Sequence, residues 1–361
     1  MRRRAFLALP LALLPAQARA NAVAYPAVTP DFRLDFPRDH GAHPHFRQEW
    51  WYVTGSLATS RGETLGFQVT FFRARPDFAT ANPGRMVPRQ IILAHAALAD
   101  GRHGRLRHED RAGRASLGLA GADEGTTRVW VDGWRLELVR NAWRTRIAAR
   151  EFALDLEIRM RRPPVANGRD GYSQKGPGAG EASYYYSVPH LLVSGSVERA
   201  GARQEVSGTA WLDHEWSSQY MPAAAEGWDW IGLNLDDGGA LMAFRMRKGG
   251  GAAPGSDTLY AGGTLLSPQD VVRVLAPDQV AFEPLRRWRS PRTGTTYPVA
   301  MKVAILGREW LIEPMMDDQE LDARASTGTI YWEGAVGAKL EGATVGRGYL
   351  ELTGYWRPMR L

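Results

Sequence analysis

The chain has 361 residues, 44% of them hydrophobic and 23% charged, so it is neither a disordered chain nor an all-membrane one. It contains no cysteine, which excludes disulfides, thiolate metal sites, a cysteine nucleophile and a lipid-modified cysteine. Lys plus Arg is 45 against 39 for Asp plus Glu, a net charge of +6 that taken alone hints at an anionic partner.

The first twenty residues, MRRRAFLALPLALLPAQARA, read as an export address. Arg2, Arg3 and Arg4 precede an apolar stretch too short to span a bilayer, and Ala18-Arg19-Ala20 places small residues for cleavage after Ala20. Arg3-Arg4-Ala5-Phe6-Leu7 also resembles a twin-arginine signal, so that route and ordinary secretion both stay open. Without the four arginines of this segment the balance is 41 basic residues against 39 acidic. The basicity is then mostly the address, and no nucleic-acid stripe remains. The expected location is periplasmic or secreted.

From Trp50 onward strand patterns dominate. Trp50 to Leu57, Thr64 to Arg73, Arg128 to Val139, Phe152 to Met160 and Tyr184 to Val197 carry β-formers between turn residues. Alternation in the third predicts one buried face holding Trp130, Trp134, Leu136 and Leu138, as in an antiparallel sheet. Helical signals are few; Pro268 to Ala276 could form one short helix. Arg162 to Glu181 holds three Pro and five Gly, too many for regular structure, and leads directly into three tyrosines, which argues for function. A faint internal echo relates Glu49-Trp50-Trp51-Tyr52 to Gly227-Trp228-Asp229-Trp230, which suggests two similar β-units divided near residues 217–226.

No phosphate loop, HExxH, GxSxG or dinucleotide fingerprint occurs. The polar candidates are Asp39 to His45 with Glu49, His95 in an apolar run, Tyr184 to Tyr186, and Trp211 to Trp216 with Trp228 and Trp230. In the last group Asp213, His214 and Glu215 sit between tryptophans. An extended backbone puts Asp213 and Glu215 on one face and His214 on the other. Carboxyls among aromatic rings are poorly solvated, hold a proton near neutral pH and can donate it. Aromatic faces can stabilise a developing carbocation. Those two elements are what hydration of an alkene needs. The competing readings are carboxylates paired with arginines in a tryptophan-filled core, and a His-rich metal site built on His43, His45, His95 and His214. His95 by itself fits a buried core histidine as well as a ligand contact. No metal and no cofactor is expected.

Tyr184-Tyr185-Tyr186-Ser187, Val206 to Ser218 with its Trp211-Leu212-Asp213-His214-Glu215-Trp216, and Gly227 to Gly238 resemble the AttH family. This is the lipocalin-like superfamily that includes the carotenoid 1,2-hydratases, or CrtC-like proteins. Asp318 to Leu321, Tyr331 to Val336 and Gly348 to Tyr355 are similar to its C-terminal half, and His43 to Gly55 to its opening, so the likeness spans nearly the whole mature chain. It implies an all-β fold of two tandem lipocalin-like antiparallel barrels, at 21–220 and 221–361. It also implies that Asp213, two residues after an aromatic, matches the proposed proton donor of the hydratases. Tyr184 and Tyr186 occupy the stretch whose aromatic and histidine side chains line that pocket in the family, although no histidine stands there in this chain.

The first reading is therefore a cofactor-independent hydratase for an isoprenoid or unsaturated lipid bound in an aromatic-lined barrel. Asp213 is its general acid; His214, Glu215 and Tyr186 orient water or tune Asp213. Tyr184, Trp211, Trp216, Trp228, Trp230, Trp50 and His95 are the ligand contacts. A lipid carrier without catalysis is the second reading and an exported hydrolase the third. The partners to expect are a hydrophobic small molecule, transient contact with a membrane, and an export or ABC-transport system, with no nucleic acid.

Overall fold

The computed structural model describes residues 24–77, 88–249 and 257–359. The export segment and its cleavage point lie outside the described residues. The fold is all-β, as the sequence predicts: among the described residues there are two antiparallel sheets, with 3-10 turns at Arg38–His40 and Pro277–Gln279. The first sheet has thirteen strands within Gln48–Gln219, and the second has ten within Gly227–Leu352. In the first, Gln48–Thr59 lies at the centre between Thr64–Ala74 and Ala202–Gln219. In the second, Gly227–Leu235 pairs with Ala240–Arg247 and with Ala343–Leu352.

Each sheet curls around its own core. Trp51, Val53, Phe67, Phe71, Trp143, Leu212 and Trp216 fill the first, and Ile231, Leu233, Met301, Trp332 and Leu350 fill the second. A third cluster forms where the outer faces meet, from Tyr52, Tyr185, Trp211, Trp230, Phe244, Tyr331 and Tyr349. The central strands therefore have no wet side. Their side chains alternate between a barrel interior and the junction, so the sequence reads as near-continuous apolar and aromatic residues.

Two sequence readings are corrected. Arg128–Val131 and Trp134–Val139 are separate strands of a hairpin rather than one strand. The Asp132-Gly133 turn between them has φ of 45° and 81°, the left-handed pair that a two-residue hairpin requires. The turn breaks the single alternation: Val129, Val131, Trp134 and Leu136 are buried while Trp130 is half-exposed. Pro268 to Ala276 forms no helix. Its β-branched Val271, Val272 and Val274 belong to a turn and the edge strand Val272–Leu275.

Both barrels repeat one device. Each opens on a strand that buries a carboxylate, and the cross-strand residue is an arginine that binds it. Glu49 lies opposite Arg73, with Nε to Oε2 at 2.6 Å. Asp229 lies opposite Arg245, with Nε to Oδ2 at 2.7 Å, and Arg247 and Tyr355 bind its other oxygen. Around Glu49 the network widens. His43 Nδ1 and His214 Nε2 reach Oε1 at 2.7 and 2.9 Å. His43 stacks flat on Trp216, with centroids 3.7 Å apart. Burial alone would raise the Glu49 carboxyl; Arg73, His43 and His214 hold it well below the usual range. The N-terminal segment is thereby pinned to the barrel end. Gly41 belongs to that contact, because a Cβ there would stand 2.2 Å from the Gly125 nitrogen.

A buried ion pair stabilises mainly by not being broken. Glu49→Ala leaves Arg73 as an unpaired buried cation and costs about 3–5 kcal/mol in denaturant unfolding. Replacing both Glu49 and Arg73 with apolar residues costs less than the sum of the single changes.

Candidate functional site

The structure places Asp213 on the junction face of Ala202–Gln219, where alternation sends Trp211, Asp213 and Glu215 outward and Leu212, His214 and Trp216 into the barrel. Beside them opens a cavity of about 660 Å³ between the two sheets. The first sheet supplies its floor. In register across three strand boundaries stand Asp213, Tyr52, Thr70 and His95. At ~4.8 Å per strand, Asp213 and His95 lie roughly 14 Å apart. The next row, toward the mouth, is Glu215, Trp50, Phe72 and Leu93. The second sheet adds Trp228, Trp230, Tyr331 and Glu351, and the C-terminal residues Trp356 to Met359 border the cavity.

Asp213 is 4% exposed and receives three hydrogen bonds. Ser187 Oγ donates to Oδ1 at 2.6 Å, Trp211 Nε1 to Oδ1 at 2.7 Å, and Tyr185 OH to Oδ2 at 2.8 Å. Two of these donors are fixed from behind. Asn167 Nδ2 donates to Ser187 Oγ at 2.7 Å, and Trp230 Nε1 to Tyr185 OH at 3.1 Å, so each hydroxyl has its own proton to give Asp213. Burial pushes the Asp213 carboxyl up to about 7 against the pull of these bonds. The acid holds a proton near neutrality, and three donors stand ready for the anion left when the proton goes.

Glu215 is paired. Lys175 Nζ lies 2.9 Å from Oε1, which Ser183 Oγ also bonds. The buried ammonium rests over the rings of Phe244 and Tyr185, 4.4 and 4.6 Å from their centroids. Burial raises the Glu215 carboxyl and lowers the Lys175 amine, each opposed by its partner. Asn167 and Lys175 both come from the Gly- and Pro-rich segment at 162–181, which supports the site from beneath and, against the sequence reading, holds two short strands, Val165–Ala166 and Tyr172–Gln174, paired with Ala182–Arg199.

At the far end, His95 Nδ1 meets Tyr331 OH at 2.7 Å and Nε2 meets Ser326 Oγ at 3.0 Å. Burial lowers His95 to about 3, so it is neutral. The buried Gln68 Oε1, also on the cavity wall, has no protein partner.

Of the residues singled out from sequence, Asp213, Glu215, Trp50, Trp228, Trp230 and His95 meet at this cavity, and Trp211 lies directly behind Asp213. Tyr184, Tyr186, His214 and Trp216 do not: they pack in the interior of the first barrel. There Tyr186 OH contacts His40 Nδ1 at 2.8 Å and His214 Nδ1 at 3.1 Å. The tyrosine that reaches Asp213 is Tyr185. The reason is a register shift. Arg199 pairs with Ala202 across a two-residue turn, but a bulge at Pro189-His190, with His190 at φ 54°, moves the pairing by one residue. A one-residue slip turns every later side chain to the other face. The sequence signal for it is a proline inside a long strand. The cavity beside Asp213 lies between the sheets, whereas the sequence reading places the ligand in a barrel; the barrel interior beneath Asp213 is filled by aromatic rings and the Glu49 network.

His43, Glu49 and His214 present possible metal-ligand atoms within 4.8 Å of one another. Glu49 is already satisfied by Arg73 and both imidazoles, so the cluster reads as a closed ion-pair network rather than a metal centre.

Ionising Asp213 costs the folded state. Its folded pKa is about 7 against an ordinary 3.8, so stability falls as pH rises between those values. Asp213→Asn therefore stabilises the protein more at pH 8 than at pH 5, by roughly 2–3 kcal/mol, as calorimetric melting at the two pH values would show.

A sequence profile described as AttH-like matches residues 27–355. Among solved structures, an AttH from Nitrosomonas europaea is 48% identical, covers 91% of this chain and 99% of its own, and superposes with a TM-score of 0.84. Kievitone hydratase from Nectria haematococca is 18% identical over 90% of this chain and 94% of its own, with a TM-score of 0.67, a likeness of fold. No curated protein sequence matches.

Proposed function

The chain belongs to the AttH-like family, and from that premise and the inter-barrel cavity we propose that it binds a hydrophobic isoprenoid or unsaturated lipid and adds water across a carbon–carbon double bond. The observation that carries this reading is Asp213. A carboxyl whose proton is held to near neutrality faces an aromatic-lined cavity and has three donors waiting for its anion. In the reaction the Asp213 O–H bond breaks and a C–H bond forms at the less substituted alkene carbon. The tertiary cation lies among Trp50, Tyr52, Trp228 and Trp230, whose ring faces attract positive charge. Water then bonds to the cation through oxygen, and one of its O–H bonds breaks with loss of the proton to a base, which gives a tertiary alcohol. The step needs no cofactor. Kievitone hydratase, by its name a hydratase on the same fold, supports the choice of reaction. The export address at 1–20 fits action in the periplasm or outside the cell, where the ligand would be drawn from or returned to a membrane.

The test is incubation of the protein with farnesol in water enriched in oxygen-18, followed by mass spectrometry. The wild type should yield a hydrated, labelled product. Asp213→Asn should lower that yield by about 100-fold or more while quenching of tryptophan fluorescence shows ligand still binding. Binding without hydration of any polyene by the wild type would leave a carrier.

The pH dependence follows from the same acid. Activity should fall as pH rises through about 7, where Asp213 loses its proton. Tyr185 favours the anion through its hydrogen bond, so Tyr185→Phe should move that fall to higher pH.

A further inference from the structure

Hydration leaves a proton to be removed from the attacking water, and a base on the wall facing Asp213 can take it as the water adds. We propose that Glu351 is the base that takes it. The inference rests on the hydratase reading of the cavity and adds the second carboxyl which that chemistry requires.

Glu351 lies on Ala343–Leu352 of the second sheet and borders the cavity on the side opposite the Asp213 floor. It is half-buried there, whereas Asp213 is enclosed. Trp228 Nε1 donates to its Oε2 at 3.0 Å and fixes the carboxylate, and Oε1 has no hydrogen bond among the described residues. Its cross-strand neighbour is Trp230, the residue whose indole N–H holds Tyr185 against Asp213. The two carboxyls thus face one space from opposite walls, joined by a short run of contacts that fixes their separation. That is the arrangement for an acid and a base acting on opposite faces of a flat alkene.

The surroundings favour a base that works near neutral pH. On its other side Glu351 pairs across strands with Glu333, which is fully buried. Tyr52 OH donates to Glu333 Oε1 at 2.6 Å, and Glu333 Oε2 has no partner among the described residues. An unpaired buried carboxylate oxygen is costly, so Glu333 is protonated. Burial and the charge of Glu351 hold its acid well above the ordinary range. Burial also lifts Glu351, to about 7, with the Trp228 bond opposing and Glu215 adding. Two carboxyls this close share one proton, and the inner one keeps it.

The step balances. Asp213 gives its proton to carbon, the water oxygen bonds to the cation, and one water O–H bond breaks as Glu351 O–H forms. The result is an alcohol, an Asp213 carboxylate and a protonated Glu351. Solvent carries that proton back to Asp213, at little cost because the two acids lie at about the same pKa.

The experiment separates protonation of the alkene from capture of water. Wild type, Glu351→Gln and Asp213→Asn are each incubated with farnesol in heavy water, and both alcohol yield and deuterium in recovered farnesol are measured. Glu351→Gln should lose the alcohol by about 100-fold yet still place deuterium in the alkene, because the cation returns a proton to Asp213. Asp213→Asn should lose both signals. Glu351→Asp, which keeps a carboxyl, should recover part of the alcohol, and it decides the matter should the Gln variant bind ligand poorly. Hydration by Glu351→Gln at close to the wild-type rate, or no recovery in Glu351→Asp, overturns the role of Glu351 while the hydratase reading stands. Neither signal from the wild type would sink that reading itself, and this proposal with it.

Discussion

Side-chain alternation along two paired strands is the constraint on which the rest of this molecule depends. Gln48–Thr59 and Ala202–Gln219 run antiparallel, with Tyr52 opposite Asp213 and Trp51 opposite His214. The period of two sends one set into the first barrel and the other into the junction with the second. The inward set, Glu49, Trp51, His214 and Trp216, is closed on itself by ion pairs and stacked rings. The outward set, Trp50, Tyr52, Asp213 and Glu215, lines a cavity. Adjacent residues of one hexapeptide therefore have opposite fates. His214 helps to hold a barrel shut, and the aspartate before it faces the cavity between the sheets.

That constraint explains what could be read in advance. The all-β class was legible because runs such as Trp50 to Leu57 admit little else. The split of Asp213 and Glu215 from His214 was legible because only the local period matters over three residues. The choice between Tyr185 and its neighbours was not. It depends on a hairpin register set fifteen residues away, at the Ala200-Gly201 turn, and then reversed by the bulge at Pro189-His190. His190 is held in that bulge by the second sheet, with its backbone N–H on Asn234 Oδ1 and its ring Nε2 on the Gly239 carbonyl. A contact across the junction thus decides which tyrosine reaches the acid. Glu351 was illegible for a related reason: it sits in an ordinary strand pattern, and only tertiary packing brings it over the cavity.

The chain treats buried charge in two ways, and the contrast locates the chemistry. Inside each barrel a carboxylate meets a cross-strand arginine, Glu49 with Arg73 and Asp229 with Arg245, and the charges are closed off. At the junction Glu215 is paired with the Lys175 ammonium, whereas Asp213, Glu333 and Glu351 have neutral hydrogen-bond donors and no cation. Pairing of the first kind keeps carboxylates ionised. Burial of the second kind keeps them protonated, or close to it, at the expense of stability near neutral pH. A fold that already uses arginine so consistently inside its barrels has the means to neutralise the junction acids. Leaving them unpaired is a cost that makes physical sense where protons are to be moved.

The same reasoning gives the second barrel its role. The first barrel brings Asp213 and the donors that receive its anion, but its own interior is full. A cavity exists only because the outer face of the second sheet stands opposite and contributes Trp228, Trp230, Tyr331 and Glu351. Trp230 bonds Tyr185 across that boundary, so even the geometry around Asp213 is set partly from the other sheet. An acid on one barrel and a carboxylate on the other border one cavity only while the junction keeps its spacing. The tandem arrangement is therefore part of the site, because neither barrel alone brings both carboxyls to one space.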